Sequence, residues 1–318
     1  MDLKTLTEIN APSGHEQAIR RFLLDELKKL GFAPVLDRMG NVVVVKEGTG
    51  DAPRKRVMVS AHMDEVGLIV TSATEDGYLR IAAAGGIDPR VLVSKRVTVG
   101  EDKLPGVIGA VPIHLQSAAE RKHVLSMDEL LVDIGAKNKD EAERKAPMGT
   151  YISFDTPYVE YGDGFACGKA FDDRVGCLSL LRLLQEELPV DLVACFVSEE
   201  EVGCRGAKGA AFQQEPDIGI VLEGTTCNDL GDVPETAHVC EAGQGVTVSF
   251  MDGASIANRA LFRKALDVAK QENIPHQVKH SVSGGNDGGA IQRAREGVPV
   301  VVLSVPCRYI HSPSSVVK

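Results

Sequence analysis

The sequence predicts an α/β protein in which a doubly wound mixed sheet is interrupted by a smaller, β-rich unit. Strand-like apolar runs alternate with amphipathic segments near both ends of the chain, which is typical of a sheet with helices on both faces. Between residues 68 and 160 short alternating runs dominate, and Gly and Pro punctuate them. With 318 residues, the chain has room for about two domains. We therefore predict a discontinuous α/β domain of residues 1–67 and 161–318, with an inserted domain at 68–160.

The first predicted helix covers residues 13–30. Ser13 and Glu16 have the spacing of a capping box, in which the two side chains bond the free N–H groups at the start of a helix. Gly31 follows as the residue type that commonly ends a helix in the left-handed conformation. The apolar residues at helical intervals are Ile19, Phe22, Leu23, Leu27 and Leu30.

Runs rich in β-branched residues predict the strands, and apolar residues at helical spacing predict the helices between them. The strands predicted for the larger sheet are 41–45, 56–60, 191–197, 218–222 and 298–303. The helices predicted beside it are 174–184 and 257–271. The insert has predicted strands at 78–82, 91–99, 106–111 and 151–154, and one helix at 139–144 after polar capping residues.

The charge balance and the cysteine pattern restrict the class of protein. Lys and Arg total 35 against 45 for Asp and Glu, so the formal net charge is −10, which disfavours nucleic acid and anionic membranes as partners. No apolar run approaches the ~20 residues of a membrane span, and the first residues do not form a signal peptide. The seven cysteines form no C-x-x-C pair. We therefore expect reduced thiols and a cytoplasmic protein.

Polar side chains follow several predicted strands at the point where each strand ends. His62 and Asp64 form an H-x-D pair after the strand at 56–60, and residues two apart on an extended backbone point to the same side. A carboxylate there can orient a metal-ligating histidine by holding its other ring nitrogen. A hydrogen-bonded structural histidine is the commoner role for an H-x-D pair taken alone.

Asp172 and Asp173 precede the helix predicted at 174–184. Two aspartates at this position favour the helix dipole. They also offer one bridging metal ligand, with the other aspartate pairing with Arg174. The sequence alone leaves both possibilities open.

Three consecutive glutamates, Glu199, Glu200 and Glu201, follow the strand at 191–197. Adjacent carboxylates at the end of a buried strand repel one another unless a positive charge neutralises them. A divalent cation does so and leaves one glutamate free as a base. This cluster is harder to explain structurally than the other two.

Glu223 follows the strand at 218–222, and His311 follows the apolar segment that begins at 298–303. Ligand sites collect at strand ends in open α/β sheets. Two histidines together with several carboxylates suit a pair of borderline or hard divalent ions.

Motifs in a fixed order extend along nearly the whole chain. They are PSGHE, AHMDEVG, GGIDPRVL, DIGAKN, GKAFDDRVG, EEVGCRGA, LEGTT, GGNDGGAI and RYIHSP. In order and context they resemble those of the tetrahedral (TET-type) aminopeptidases. That family of dinuclear metallopeptidases includes glutamyl and deblocking aminopeptidases and proteins labelled cellulase M or endoglucanase.

The resemblance implies a centre with two divalent metal ions per subunit, zinc or cobalt, with manganese also suited to such ligands. The residues that match the family's ligands are His62, Asp172, Glu201, Glu223 and His311. Asp172 would bridge the ions, and Asp173 is the alternative for that role. His62 and Glu223 would complete one site. Glu201 and His311 would complete the other. Many relatives have Asp where this chain has Glu223.

The same resemblance implies a reaction and an assembly. Glu200 matches the general acid/base, and Asp64 matches the residue that orients His62. The implied activity is the release of N-terminal residues from short peptides by a water that two metal ions activate. Relatives form dimers that combine into a tetrahedral dodecamer, and the insert at 68–160 is the expected dimerisation domain. Relatives usually continue further beyond the residue that matches His311, and this difference bears on assembly rather than on chemistry.

Other functions fit part of the sequence. A dinuclear metal carboxypeptidase or deacylase would use similar ligands, but the insert and the LEGTT motif favour an aminopeptidase. An endo-glucanase normally uses two carboxyl groups and no metal, which leaves both histidines without a role. A non-catalytic metal-binding assembly protein has no need for Glu200 beside a ligand at Glu201. The sequence does not indicate which N-terminal side chain is preferred.

Overall fold

The computed structural model of the protein describes residues 2–318. In that part of the chain the α-helices are α1 (Leu3–Thr7), α2 (Gln17–Lys29), α3 (Lys139–Lys145), α4 (Phe171–Leu183), α5 (Arg205–Gln214), α6 (Arg259–Gln271) and α7 (Asp287–Gln292). The strands up to the end of the insert are β1 (Val35–Leu36), β2 (Val42–Lys46), β3 (Arg56–His62), β4 (Gly67–Ala73), β5 (Leu79–Ala84), β6 (Arg96–Val99), β7 (Leu104–Gly109), β8 (Leu131–Asp133), β9 (Tyr151–Phe154) and β10 (Val159–Tyr161). The remaining strands are β11 (Phe165–Gly168), β12 (Asp191–Val197), β13 (Ile218–Cys227), β14 (Val246–Ser249), β15 (His276–Val278), β16 (Val300–Arg308) and β17 (Ser315–Val317). None of these helices is long and apolar enough to cross a lipid bilayer.

A large mixed sheet forms the main body of the α/β part. Its strand order is β1-β2-β12-β3-β13-β16-β17-β11-β10, and β14 and β15 extend it beside β16. The four central strands β12, β3, β13 and β16 are parallel, whereas β2, β14 and β17, which adjoin them, pair with them antiparallel. The carboxyl ends of the parallel strands therefore meet at one edge of the sheet.

Helices cover both faces of this sheet, as the sequence predicts. Alternate residues of β12 point to opposite faces: Leu192 and Phe196 pack with α2 and α4, and Val193 and Cys195 pack with α5 and α7. All these side chains are buried. The prediction of a doubly wound α/β fold with a smaller β-rich unit is confirmed.

The smaller unit is a closed antiparallel barrel with the strand order β4-β5-β8-β7-β6-β9. It has its own apolar core, in which residues such as Leu68, Ile108 and Phe154 are buried. The predicted strand at 91–99 is shorter in the structure, because a 3₁₀ turn at Pro89–Val91 precedes β6. The helix predicted at 139–144 is present as α3, and Asn138 caps it by accepting a hydrogen bond from the Glu141 N–H. The domain boundaries at 67/68 and 160/161 stay a prediction.

Two local predictions are wrong. The capping box of Ser13 and Glu16 does not form: α2 begins at Gln17, and the Ser13 hydroxyl donates instead to Asp64. The strand predicted at 218–222 continues to Cys227, because β16 pairs with it over its whole length. Glu223 therefore lies within β13 rather than after it.

A buried ion pair ties the N-terminal segment to the end of β3. Lys169 Nζ lies 2.8 Å from both carboxylate oxygens of Glu65, and the Ala11 N–H donates to the same carboxylate at 2.8 Å. Arg174, fully buried, donates to the carbonyl oxygens of Leu6 and Ile9. These contacts fix the loop after β3 relative to the start of α4, and both segments carry residues of the candidate site.

We expect Lys169→Met to lower the free energy of unfolding by about 3–5 kcal/mol, because it removes the cation that contacts both oxygens of the buried Glu65 carboxylate and leaves only Arg174, 3.8 Å from one of them. The double variant Lys169→Met/Glu65→Gln removes both charges but keeps an acceptor for the Ala11 N–H. Chemical denaturation should therefore show a smaller loss for the double variant than for Lys169→Met. A double variant less stable than the single one would contradict this account of the pair.

Candidate metal centre

The register of the parallel strands brings His62 and Glu223 together. Val221 in β13 pairs with Ser60 in β3, so the residues two positions further along each strand lie at the same level on the same face. His62 Nε2 is 3.2 Å from Glu223 Oε1. The interior position of Glu223 in β13, which the sequence analysis missed, is therefore what aligns it with the histidine.

Asp64 holds the other nitrogen of the His62 ring. The backbone oxygen of Asp64 lies 3.1 Å from His62 Nδ1, and its Oδ1 atom lies 3.3 Å from the same nitrogen. Both atoms are acceptors, so Nδ1 carries a proton and Nε2 is the nitrogen that a bound cation would use. Nε2 points toward Asp172, whose Oδ1 atom is 3.3 Å away.

The adjacent residues Asp172 and Asp173 point in different directions, because neither has helical backbone torsions at the start of α4. Asp172 faces His62 and also accepts a hydrogen bond from the Gly224 N–H at 3.1 Å. Asp173 faces away and accepts from the backbone N–H groups of His62 and Gly176. The structure thus places Asp172 between the two histidines, and neither aspartate pairs with Arg174.

Gly224 is required by the close approach of β13 to Asp172. A Cβ atom at position 224 would lie 2.8 Å from Asp172 Oδ1, closer than real Cβ atoms come to such a group. The position therefore needs glycine so that the backbone N–H can reach the carboxylate. Gly224 belongs to the LEGTT motif, and the sequence alone indicated no role for it.

The three consecutive glutamates after β12 separate into three environments. Glu199, with positive φ, turns outward, and its carboxylate lies 3.3 Å from Arg205. Glu200 is buried and lines a cavity of about 390 Å³. Glu201 Oε2 lies 3.2 Å from His311 Nε2. Asp64 positions this turn, because its carboxylate accepts from the backbone N–H groups of both Glu200 and Glu201.

His311 reaches the site from the loop after β16. It has a positive φ of 55°, and its side chain is 40 % exposed, whereas His62 is fully buried. His311 Nε2 is 3.5 Å from Asp172 Oδ2. Loop residues from the barrel also come close, since a Cβ atom on Gly86 would lie 3.5 Å from the His311 ring.

The side chains form two groups of three metal-ligand atoms that share Asp172. The first contains His62, Asp172 and Glu223, and the second contains Asp172, Glu201 and His311. Within each group the atoms lie within 4.8 Å of one another. Two groups with one shared carboxylate are the arrangement that a pair of bridged divalent ions requires, and imidazole with carboxylate oxygens suits zinc, cobalt or manganese.

A buried oxygen without a partner also fits a cation. Glu223 Oε2 accepts no hydrogen bond from residues 2–318 although it is buried. Such an atom is costly unless a cation or a donor meets it. The chemistry of the donors and this orphaned oxygen together fit a metal ion bound between His62 and Glu223.

The pKa shifts describe an excess of buried negative charge. Burial raises the pKa of Glu201 to about 8 and that of Glu223 well above its ordinary value. Burial opposes protonation of both histidines, but the nearby carboxylates outweigh it: they raise the pKa of His311 to about 9 and that of His62 well above its ordinary value. The cluster holds protons where no other positive charge is available, and bound cations would replace those protons.

A third acidic group lies behind Glu200, and the sequence analysis missed it. The Cys204 thiol donates to Glu200 Oε1 at 3.3 Å, and Asp287 completes the group. Both oxygens of Asp287 are buried without a hydrogen-bond partner among residues 2–318, and burial raises its pKa well above the ordinary value. The only signal in the sequence was the GGNDGGAI motif, to which no role was attached.

Comparison with known proteins agrees with this architecture. The family profile described as M42 glutamyl aminopeptidase matches residues 40–318. The lysyl aminopeptidase of Pyrococcus furiosus is 33 % identical over 321 residues, which cover 98 % of this chain and 89 % of that protein.

Two solved structures are also similar. The TET aminopeptidase of a marine sediment archaeon of the Thaumarchaeota superposes with a TM-score of 0.94 at 32 % identity, covering 99 % of this chain and 90 % of that one. The TET1 peptidase of Pyrococcus horikoshii, described as assembling into a tetrahedron or a large octahedral shell, has a TM-score of 0.86 at 32 % identity, covering 99 % and 93 %. The match over most of the length, at this identity and with the same fold, leads to one conclusion: the chain belongs to the M42 glutamyl aminopeptidase family and is a peptide hydrolase.

Proposed function

We propose that the protein is an aminopeptidase that uses two divalent metal ions to release N-terminal residues from short peptides. The observation that carries the proposal is the position of Asp172 between two groups of metal-ligand atoms, with Glu200 beside them in the same cavity. His62 and Glu223 would hold one ion, and Glu201 and His311 the other. Zinc, cobalt and manganese all suit these ligands.

When bound, the ions supply Lewis-acid polarisation of the scissile carbonyl and lower the pKa of an attacking water toward 7. Glu200 would accept the proton of that water at its carboxylate and later deliver it to the leaving amine. Burial raises the pKa of Glu200 above its ordinary value, which helps the carboxylate to hold the proton between the two transfers. Asp64 would keep the His62 ring in the tautomer that ligates through Nε2.

The size of the cavity fits a short peptide. About 390 Å³ is enough for one residue and its neighbour. A carboxypeptidase or deacylase would use a similar centre, but the family is one of aminopeptidases. An endo-glucanase would leave both histidines, which face the carboxylates of a single centre, without a role. We also propose that the enzyme acts in the cytoplasm.

We further propose that the protein forms a homo-oligomer, a tetrahedral dodecamer built from dimers, with the inserted barrel as the dimerisation element. A segment of the insert exposes apolar side chains that a second copy would cover. These are Val111, Ile113, Leu115 and Val124, each 59–76 % exposed. Exposed apolar patches of this kind are typical of interaction surfaces.

We expect exhaustive chelation to abolish hydrolysis of aminoacyl-p-nitroanilides and added zinc, cobalt or manganese to restore it, because the ligand set needs cations to balance its charge. Peptides with a free N-terminus should be cleaved, and the same peptides with an N-acetyl group should not. Activity that survives chelation, or faster cleavage of the acetylated peptides, would contradict the proposal.

We expect Glu200→Gln to lower kcat by about 10²–10⁴-fold while metal content stays unchanged, because the amide cannot carry the proton. Glu201→Gln should instead lower the metal content by about one ion per subunit. Glu199→Gln is the matched control, since Glu199 pairs with Arg205 outside the centre. Kinetics and elemental analysis of the three variants decide the assignment, and the reverse pattern would mean that the roles of Glu200 and Glu201 are exchanged.

Light scattering on the metal-loaded protein should give a mass several times the 34.0 kDa of one subunit. Leu115→Asp should reduce the assembled mass, because it places a charge in the apolar segment of the insert. Val35→Asp, at an exposed apolar position on β1 of the large sheet, should leave the mass unchanged. A wild-type mass near one subunit would refute both the dimer and the larger particle.

A further inference from the structure

We propose that Lys279 selects peptides with an acidic N-terminal residue, glutamate or aspartate, by pairing with the carboxylate of that side chain. This inference rests on the proposed aminopeptidase function and names the substrate class of the same site. It concerns a residue that no sequence motif singled out. The name of the family and that of its lysyl relative point to opposite substrate charges, so only the residues of this chain can distinguish the two.

Lys279 lies in the wall of the catalytic cavity. It follows β15, and its backbone N–H donates to Val248 in the neighbouring strand β14. The residue is only 7 % exposed, and it lines the same cavity as Asp172, Glu200 and His311. A lysine is almost never buried to this degree unless its charge is paired.

The Lys279 ammonium has no anionic partner within the protein. Its Nζ atom donates one hydrogen bond, to the backbone oxygen of Ser283 at 3.0 Å, and no carboxylate oxygen of residues 2–318 lies within salt-bridge distance. An ammonium has three N–H donors, so two of them have no acceptor in the protein. This contrasts with the other buried lysine of the fold, Lys169, which contacts both oxygens of Glu65. The structure therefore leaves one buried positive charge available to a ligand in the cavity.

The rest of the cavity wall fits a small polar side chain better than an aliphatic or a basic one. Hydroxyl groups and glycines dominate it, including Thr226, Ser249 and Ser304, and Ile310 is the one aliphatic side chain among the described residues that line it. The carboxylates in the wall are those assigned to the metal centre and to Glu200, together with Asp88, which already pairs with Arg90. A lysine or arginine side chain would thus meet the Lys279 charge without a free carboxylate to offset it.

The test compares substrates that differ in charge but not in shape. Metal-loaded wild type should cleave Glu-p-nitroanilide with a kcat/KM about 10²-fold above that of the isosteric Gln-p-nitroanilide, and also above those of the Leu and Lys substrates. Lys279→Met should remove most of that difference while changing the Gln and Leu rates little. Lys279→Glu should favour the Lys substrate, and Lys270→Met, at an exposed position on α6, should behave as wild type.

Binding of the free amino acids provides a readout that does not depend on turnover. Glutamate should raise the Tm of metal-loaded wild type more than glutamine does, and this difference should vanish in Lys279→Met but persist in Lys279→Arg. Equal kcat/KM for the Glu and Gln substrates in wild type, or an equal loss on all substrates in Lys279→Met, would overturn the assignment and leave Lys279 a structural role. Failure to cleave any aminoacyl substrate would instead refute the proposed function itself.

Discussion

The Asp64 carboxylate is the interaction on which the geometry of the centre depends. It lies 3.3 Å from the Nδ1 atom of His62, accepts from the Ser13 hydroxyl at 2.6 Å, and accepts from the backbone N–H groups of Glu200 and Glu201. Those donors belong to the end of β3, the N-terminal segment and the turn after β12. Burial alone would raise the pKa of this aspartate, but these hydrogen bonds lower it, so the carboxylate stays ionised and keeps all its donors. The buried Asp64 carboxylate thus fixes both the orientation of the His62 ring and the position of the backbone at Glu200.

The second constraint is the charge that the sheet edge accumulates. Parallel strands β12, β3 and β13 deliver their polar residues to one place, and α4 adds Asp172 from the opposite side. Mutual repulsion of buried carboxylates disfavours the ionised cluster unless protons or cations compensate it. The ionised cluster therefore needs positive charge at this edge, and the two histidines supply only part of it. Glu201 and Glu223 have raised pKa values, so they are the carboxylates that cations would keep ionised.

The sequence predicts an element correctly where the local residue pattern alone determines the structure. The strand at 191–197 and the helix at 139–144 follow from hydrophobic period and capping chemistry alone, and both are present. The capping box at Ser13 failed because a tertiary partner, Asp64, competes for the hydroxyl, and no local pattern encodes that competition. Glu223 was placed after its strand because the pairing that prolongs β13 comes from β16, some eighty residues further along. Lys279 could not be predicted from the sequence, because a single lysine in a polar stretch is normally solvent-exposed. Only the fold shows that it is buried.

Buried charged groups in this fold divide by whether the protein satisfies them. The Glu65 and Asp173 carboxylates accept hydrogen bonds at both oxygens, from Lys169 and Ala11 in one case and from two backbone N–H groups in the other, and each joins separate segments of the chain. Glu223 and Lys279 are buried to a similar degree, but one oxygen of Glu223 and two N–H donors of Lys279 have no hydrogen-bond partner among the described residues. A buried polar group without a partner costs stability, and at Glu223 and Lys279 a ligand in the cavity that both residues line can supply the partner. The candidate metal centre and the candidate specificity residue therefore lie in one cavity.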